Sequence, residues 1–162
     1  MIRYEQGNLF ETPDQYIAHG CNACGVMGSG VALQIKERYP EAFEAYKKTW
    51  VDIAEVRKDL GLDSPLLGFT PLLPLGTNII VHTKNKTIIN MITQEYYGND
   101  QRHVNYEAVQ SCFESLARIE NISSLSIPKI GAGLGGGDWE IIAKIIEKAV
   151  RPDQIVTVWE LK

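Results

Sequence analysis

The sequence predicts an α/β protein, a three-layer α/β/α sandwich with a mixed central sheet, and three observations carry that prediction. In the second half of the chain, short apolar strand patterns alternate with amphipathic helix patterns, as parallel strands joined by helical crossovers require. In the middle, Thr77 to Thr83 and Thr87 to Ile92 flank Lys84-Asn85-Lys86, a hairpin spacing that adds an antiparallel pair and makes the sheet mixed. Two separate strand-to-helix junctions are rich in glycine. A chain of 162 residues has room for one domain, residues 1–162, which can bury about 70% of its unfolded surface.

The elements follow in order. Ile2 to Gln6 alternates apolar and polar residues and runs into Gly7-Asn8, a strand ending in a turn. A second short strand covers Gln15 to His19. Gly20 to Gly30 holds four glycines and reads as a loop, because neither a helix nor a strand tolerates that density. From about Ser29, the residues Val31, Ala32, Ile35 and Tyr39 share one helical face, and Pro40 ends this helix and starts another that runs to Trp50 or as far as Lys58. Gly61 to Pro74 carries three prolines and is an irregular connection to the hairpin. Glu95 to Arg102, with Tyr96-Tyr97-Gly98-Asn99, is an exposed loop beyond it. Val109, Cys112, Phe113 and Leu116 mark an amphipathic helix over Val104 to Ile119. Ser124 to Ile127 is a buried strand, Ile142, Ile145, Ile146 and Ala149 mark the inner face of a further helix, and Ile155 to Trp159 is the last strand.

Composition excludes several classes. Sixteen Lys and Arg against twenty Asp and Glu give a net charge of −4, which speaks against a nucleic-acid binder with a broad basic face. The opening MIRYEQGNLFE lacks the basic and apolar segments of a secretory signal, so a cytosolic location and no membrane partner are expected. Three cysteines, Cys21, Cys24 and Cys112, are an odd count suited to free thiols in a reducing compartment. His19-x-Cys21-x-x-Cys24 has no fourth ligand and no second paired motif, so it is not read as a zinc site. No metal or cofactor is expected.

The two junctions, Gly25 to Gly30 and Gly131 to Gly137, hold more glycines than tight turns need. Glycine lets backbone N–H groups converge, and a helix N-terminus just beyond adds partial positive charge, so a diphosphate suits the pair. Purely structural loops are the alternative. Gly131 to Gly136 fits G-x-G-x-x-G, but too little chain follows for a dinucleotide-binding half. No Gly-Lys-Ser or Gly-Lys-Thr occurs, which excludes a P-loop.

On these residues the chain resembles the macrodomains, the ADP-ribose-binding α/β/α family, with the strongest likeness to the branch of ADP-ribose 1''-phosphate phosphatases and the terminal ADP-ribose protein glycohydrolase. Gly7-Asn8-Leu9-Phe10 resembles the first motif, whose acid accepts from the adenine amino group, with Asn8 in place of the family's Asp. Ile17-Ala18-His19-Gly20-Cys21-Asn22 with Met27-Gly28-Ser29-Gly30-Val31-Ala32 is similar to the first binding loop, which implies that Asn22 holds the distal ribose. Ile130-Gly131-Ala132-Gly133-Leu134-Gly135-Gly136-Gly137-Asp138-Trp139 is similar to the second, diphosphate-cradling loop. Asn8, Leu9, His19, Asn22, Met27 to Val31 and Gly131 to Gly136 are thus the implied ligand contacts, and replacing Gly135 with Val is expected to remove binding without disturbing the fold. The glycohydrolase branch carries a nucleophilic lysine where this chain reads Ile92-Thr93-Gln94-Glu95, and its second-loop aspartate would fall near Gly135.

Hydrolysis of a terminal phosphate needs oxyanion donors and a base. The loop amides are the donors, and His19 and Asp138 are the candidate acid–base residues. A structural histidine and a helix N-cap are the alternative readings of these two. His103 is a candidate for the pocket rim, and Tyr96, Tyr97 and Trp139 for stacking. The expected function is removal of phosphate from ADP-ribose 1''-phosphate. The alternatives are hydrolysis of ADP-ribose from a modified macromolecule, a binding module without turnover, or an unrelated nucleotide-binding protein that favours ATP or NAD. A monomer is expected.

Overall fold

A computed structural model describes residues 1–98 and 100–161, so Asn99 of the expected exposed loop lies outside the described residues. Six strands form one sheet: β1 (Ile2–Gln6), β2 (Tyr16–Asn22), β3 (Asn78–His82), β4 (Thr87–Gln94), β5 (Ser124–Ile127) and β6 (Ile155–Glu160). Their order is β1-β6-β5-β2-β4-β3. Every neighbouring pair is parallel except the β3–β4 hairpin, so the sheet is mixed.

Helices α1 (Gly30–Arg38) and α2 (Pro40–Asp59) cover one face, and α3 (Tyr106–Ala117) and α4 (Trp139–Ala149) cover the other. Strand alternation supplies both cores. Ala18, Ile89 and Met91 meet Phe113, Leu116, Ile142 and Ile146 on the α3–α4 face. Ile17 and Ile88 meet Ile35 and Ala42, and Cys21 and Ile92 meet Tyr46 and Trp50, on the α1–α2 face. Strand β4 is buried on both faces, which is why it reads as a continuous apolar run rather than an alternating one.

Two elements differ from expectation for identifiable reasons. Strand β2 continues through Gly20, Cys21 and Asn22, because β4 pairs with it residue for residue as far as Cys21 opposite Ile92. That ladder outweighs the poor strand preference of glycine. Helix α3 starts at Tyr106, not Val104. Val104 bridges Gln94, and Asn105 caps the helix by accepting from Ala108 N at 2.9 Å.

The connection from β2 runs through α1 and α2 to the β3–β4 side of the sheet, whereas that from β5 runs through α4 to β6 on the other side. Strands β2 and β5 are neighbours, so the two chains diverge above them and leave a crevice at the carboxyl ends of the strands. Both glycine-rich junctions flank that crevice.

Candidate functional site

A cleft of about 590 Å³ occupies this switch point. Its floor is the end of β2, His19 to Asn22. One wall is the loop into α1, with Val26, Gly28, Ser29, Gly30 and Val31, and the other is the loop into α4, with Gly131, Gly133, Leu134 and Gly135. Gln94, Tyr97 and Gly98 close one end, and Pro128, Lys129 and Ile130 add to the second wall. The loops approach closely: a Cβ on Gly30 would lie 3.8 Å from Leu134 Cδ1.

The glycines divide into two kinds. A Cβ on Gly28 or Gly133, both of which line the cleft, would meet nothing within 4 Å, so at these two positions a side chain would stand in open space. The remaining second-loop glycines pack against protein. A Cβ on Gly131, which sits at φ +77°, would fall 2.5 Å from Val104 Cγ2, and one on Gly136 would fall 3.1 Å from Arg102 Cα. A Cβ on Gly135 would lie 2.7 Å from the Gly131 carbonyl oxygen, so the expectation that Gly135→Val spares the fold is corrected: the loop itself would have to open. Hydrogen bonds from Gly137 N to Gly131 O (2.7 Å) and from His103 N to Gly135 O (2.8 Å) hold this loop in place.

Electrostatics favour an anion. Among the described residues lining the cleft there is no Asp or Glu, and Lys129 is the one side chain cationic at neutral pH, paired to Glu160 at 2.8 Å. Helix α1 points its N-terminus at the cleft, and Ser29 at its N-cap makes no side-chain capping bond. Its first-turn N–H groups are therefore without a side-chain cap. By contrast, Asp138 caps α4 by accepting from Glu140 N at 2.9 Å.

Asn22 lies at the floor and is held by several hydrogen bonds. Its Oδ1 accepts from Cys24 N at 2.9 Å and its Nδ2 donates to Val26 O at 2.9 Å, while the buried Tyr46 hydroxyl lies 2.6 Å from its carbonyl. One amide N–H of Asn22 remains for a ligand. No local pattern marks Tyr46, because its partner is 24 residues away and meets it through the packing of α2 on the sheet.

The structure does not bring His19 and Asp138 together as an acid–base pair. His19, at the inner end of the floor, is 1% exposed, with its ring on the α1–α2 side. The Asn90 amide donates to Ala42 O, which turns Asn90 Oδ1 toward His19 Nε2 at 2.6 Å, so that nitrogen carries the proton. Burial lowers the His19 pKa from 6.5 to about 4, against the opposing pull of the Asn90 bond, and the ring is neutral. Asp138 is exposed, engaged as a cap and away from the cleft lining.

Other expected contacts also lie off the cleft lining. Asn8 caps the short 3-10 turn Leu9–Glu11, with Oδ1 accepting from Phe10 N at 2.9 Å, and Leu9 is buried against Ile17 and Ile35. Met27 packs into the core beside Tyr46 and Trp50, and Ala132 packs against the α3–α4 core. Gly136 faces Arg102, not the crevice. Tyr97 does reach the cleft, anchored by its hydroxyl to Gly68 O at 2.7 Å. Tyr96 and His103 line a separate hollow of about 530 Å³ behind it, where His103 Nε2 meets Asp100 at 2.8 Å. Trp139 donates to the Tyr4 hydroxyl. The three cysteines are free and buried, and burial lifts Cys24 to about 11, so it is a protonated thiol. No group of three His, Cys, Asp or Glu among the described residues is arranged to hold a metal.

A mixed sheet between two helical layers, with a cleft at its switch point, defines a three-layer protein of the α/β/α class. The chain matches the Macro domain over residues 18–146 and belongs to that family. A DNA ADP-ribosyl glycohydrolase of Mycobacterium tuberculosis is 31% identical across 92% of this chain. The chain spans 38% to 40% of the length of the curated glycohydrolases it matches. An ADP-ribose 1''-phosphate phosphatase of Debaryomyces hansenii is 27% identical across 91% of this chain and 93% of that protein. Among solved structures, the macrodomain of Thermus aquaticus DarG matches with a TM-score of 0.75 and 27% identity, covering 99% of this chain and 98% of that one.

Proposed function

We propose that the cleft binds ADP-ribose and that the protein is a hydrolase acting at the 1'' end of that ligand, releasing phosphate from ADP-ribose 1''-phosphate. The observation that carries this reading is the pair of open glycines, Gly28 and Gly133, one on each loop, beside the uncapped start of α1 and on walls free of carboxylate. A diphosphate between them would take backbone donors from both sides, and the second amide N–H of Asn22, left over after its bond to Val26 O, would donate to a hydroxyl of the distal ribose. The same fixed amides stabilise charge that develops on a phosphate oxygen during hydrolysis.

One observation favours phosphate release over removal of ADP-ribose from a macromolecule: Gln94 lines the cleft in the stretch where the glycohydrolase branch has its lysine. One observation supports a second reading, a binding module without turnover: the single imidazole at the cleft is buried, neutral and tied to Asn90.

Calorimetric titration with ADP-ribose, followed by a phosphate-release assay on ADP-ribose 1''-phosphate with the same preparation, separates these readings. Binding with release is the expected result. Binding with no release supports the module, release of ADP-ribose from a modified nucleic acid or protein supports the glycohydrolase, and no binding overturns all three.

A further inference from the structure

We infer that Gln94 is a hydrogen-bond acceptor of the cleft, its side-chain oxygen taking an O–H from a hydroxyl of the distal ribose or from the water that attacks at that end of the ligand. This inference rests on the ADP-ribose reading given above and adds a contact to it.

Strand pairing puts Gln94 in place. Cys21 pairs with Ile92 and Asn22 pairs with Gln94, so Thr93 is the extra residue of a β-bulge where β2 ends at the cleft. Without the bulge Thr93 would stand beside Asn22, and with it Gln94 does. The backbone then ties Gln94 to the second loop. Gln94 bridges Val104, and Val104 N donates to Gly135 O at 3.1 Å.

The direction of the side-chain amide follows from one bond. Nε2 donates to the Tyr96 carbonyl at 2.6 Å, and a carbonyl only accepts, so the nitrogen faces Tyr96 and Oε1 faces the other way. Oε1 lies against the second loop, 3.0 Å from where a Cβ on Gly135 would stand, and Gln94 and Gly135 both line the cleft. Gln94 is half-buried, and among the described residues no donor meets Oε1.

The other side-chain acceptors of the lining are engaged or stand elsewhere. Asn22 Oδ1 accepts from Cys24 N at 2.9 Å and lies 2.9 Å from the Tyr46 hydroxyl. The Tyr97 hydroxyl is bonded to Gly68 O, His19 is buried, and Ser29 stands on the opposite wall at the start of α1. Next to Oε1 in the register is the second amide N–H of Asn22. A donor and an acceptor side by side suit a group that is itself both, a hydroxyl or a water, whereas an ionised phosphate oxygen only accepts and leaves Oε1 unmet. With water as the partner, its oxygen bonds to the phosphorus of the 1''-phosphate as the bond from phosphorus to the 1'' oxygen breaks. One water proton stays on the released phosphate and the other passes to the 1'' oxygen, so Gln94 orients the water and takes no proton.

The test compares wild type, Gln94→Met and Gln94→Ala by calorimetry with ADP-ribose and with ADP, and by phosphate release from ADP-ribose 1''-phosphate. Gln94→Met keeps the bulk of the side chain without its amide. Both variants are expected to bind ADP, which ends at the diphosphate, as wild type does, and to lose about tenfold on the longer ligand in affinity or in release rate. Weaker ADP-ribose binding assigns the O–H to the distal ribose, and slower release at unchanged affinity assigns it to the attacking water. Unchanged affinity and release in Gln94→Met overturn the inference alone, as does an equal loss for ADP. If wild type binds without releasing phosphate, the affinity comparison by itself upholds or overturns the inference. Wild type that fails to bind ADP-ribose overturns the functional reading and this inference with it.

Discussion

Gly28 and Gly133 line the cleft and have open space where a side chain would go, which sets them apart from the other loop glycines. Gly133→Val is expected to keep stability within about 0.5 kcal/mol of wild type and to weaken ADP-ribose binding at least about tenfold. Gly131→Val, forced against Val104 at a positive φ, is expected to lose about 2 kcal/mol or more of stability. Urea unfolding and calorimetry on both variants check the contrast. At His19 the pKa falls from 6.5 to about 4 on folding, so between those values the unfolded chain binds the extra proton. Its contribution is complete above pH 6.5 and declines as pH falls toward 4, at up to about 1.4 kcal/mol per pH unit. Stability curves of wild type and His19→Gln should therefore converge as pH drops through this window, and a constant difference would contradict the burial of a neutral ring. Neither property was legible in the sequence. Glycine density marked the two loops, but which glycines face the cleft depends on Val104 and Arg102, some 30 residues earlier in the chain. The sequence placed His19 at the cleft but could not show that Asn90 and Ala42 lie beneath it.

The starts of α1 and α4 differ in one atom's use. Ser29 leaves α1 uncapped toward the cleft, and Asp138 caps α4 away from it. Ser29→Asp should stabilise the free protein by about 0.5–1 kcal/mol through capping and the helix dipole, while its charge repels the diphosphate. Asp138→Ala should cost about 1 kcal/mol and leave affinity for ADP-ribose unchanged. Thermal melts and titrations of both variants check the opposite pattern, and reduced turnover in Asp138→Ala at full affinity would restore that residue to the chemistry. At this scale the sequence was most informative. The β3–β4 hairpin, the Pro40 helix and β5 lie where turn residues and periodicity put them, because those signals are local. The extension of β2 and the bulge at Thr93 come from pairing between strands about 70 residues apart, which no local pattern carries.

For the whole molecule, a net charge of −4 and a cleft wall without carboxylates together mean that acidic groups are kept to the outside of an anion site. Saturating ligand at about 100 times its Kd should add about 2.7 kcal/mol of stability, which in a domain of this size raises Tm by about 5–10 °C. ADP-ribose is expected to give that shift in a thermal melt, and adenosine, which brings no phosphate to the loops, should give little. The α/β/α architecture was legible from the alternation of strands and helices, whereas the strand order was not. That order has a temporal consequence. Among the described residues, β6 is the one strand that pairs with β1, and the pairing is flanked by Met1 N to Gln154 O at one end and Gly7 N to Glu160 O at the other. At about 5–20 residues per second, Ile2–Gln6 leaves the ribosome on the order of ten seconds before Ile155–Glu160 does. The nascent chain must therefore carry an unpaired strand while the residues between the two strands are made, and the mainly polar, exposed character of Ile2–Gln6 lets it wait in water without attracting a wrong partner.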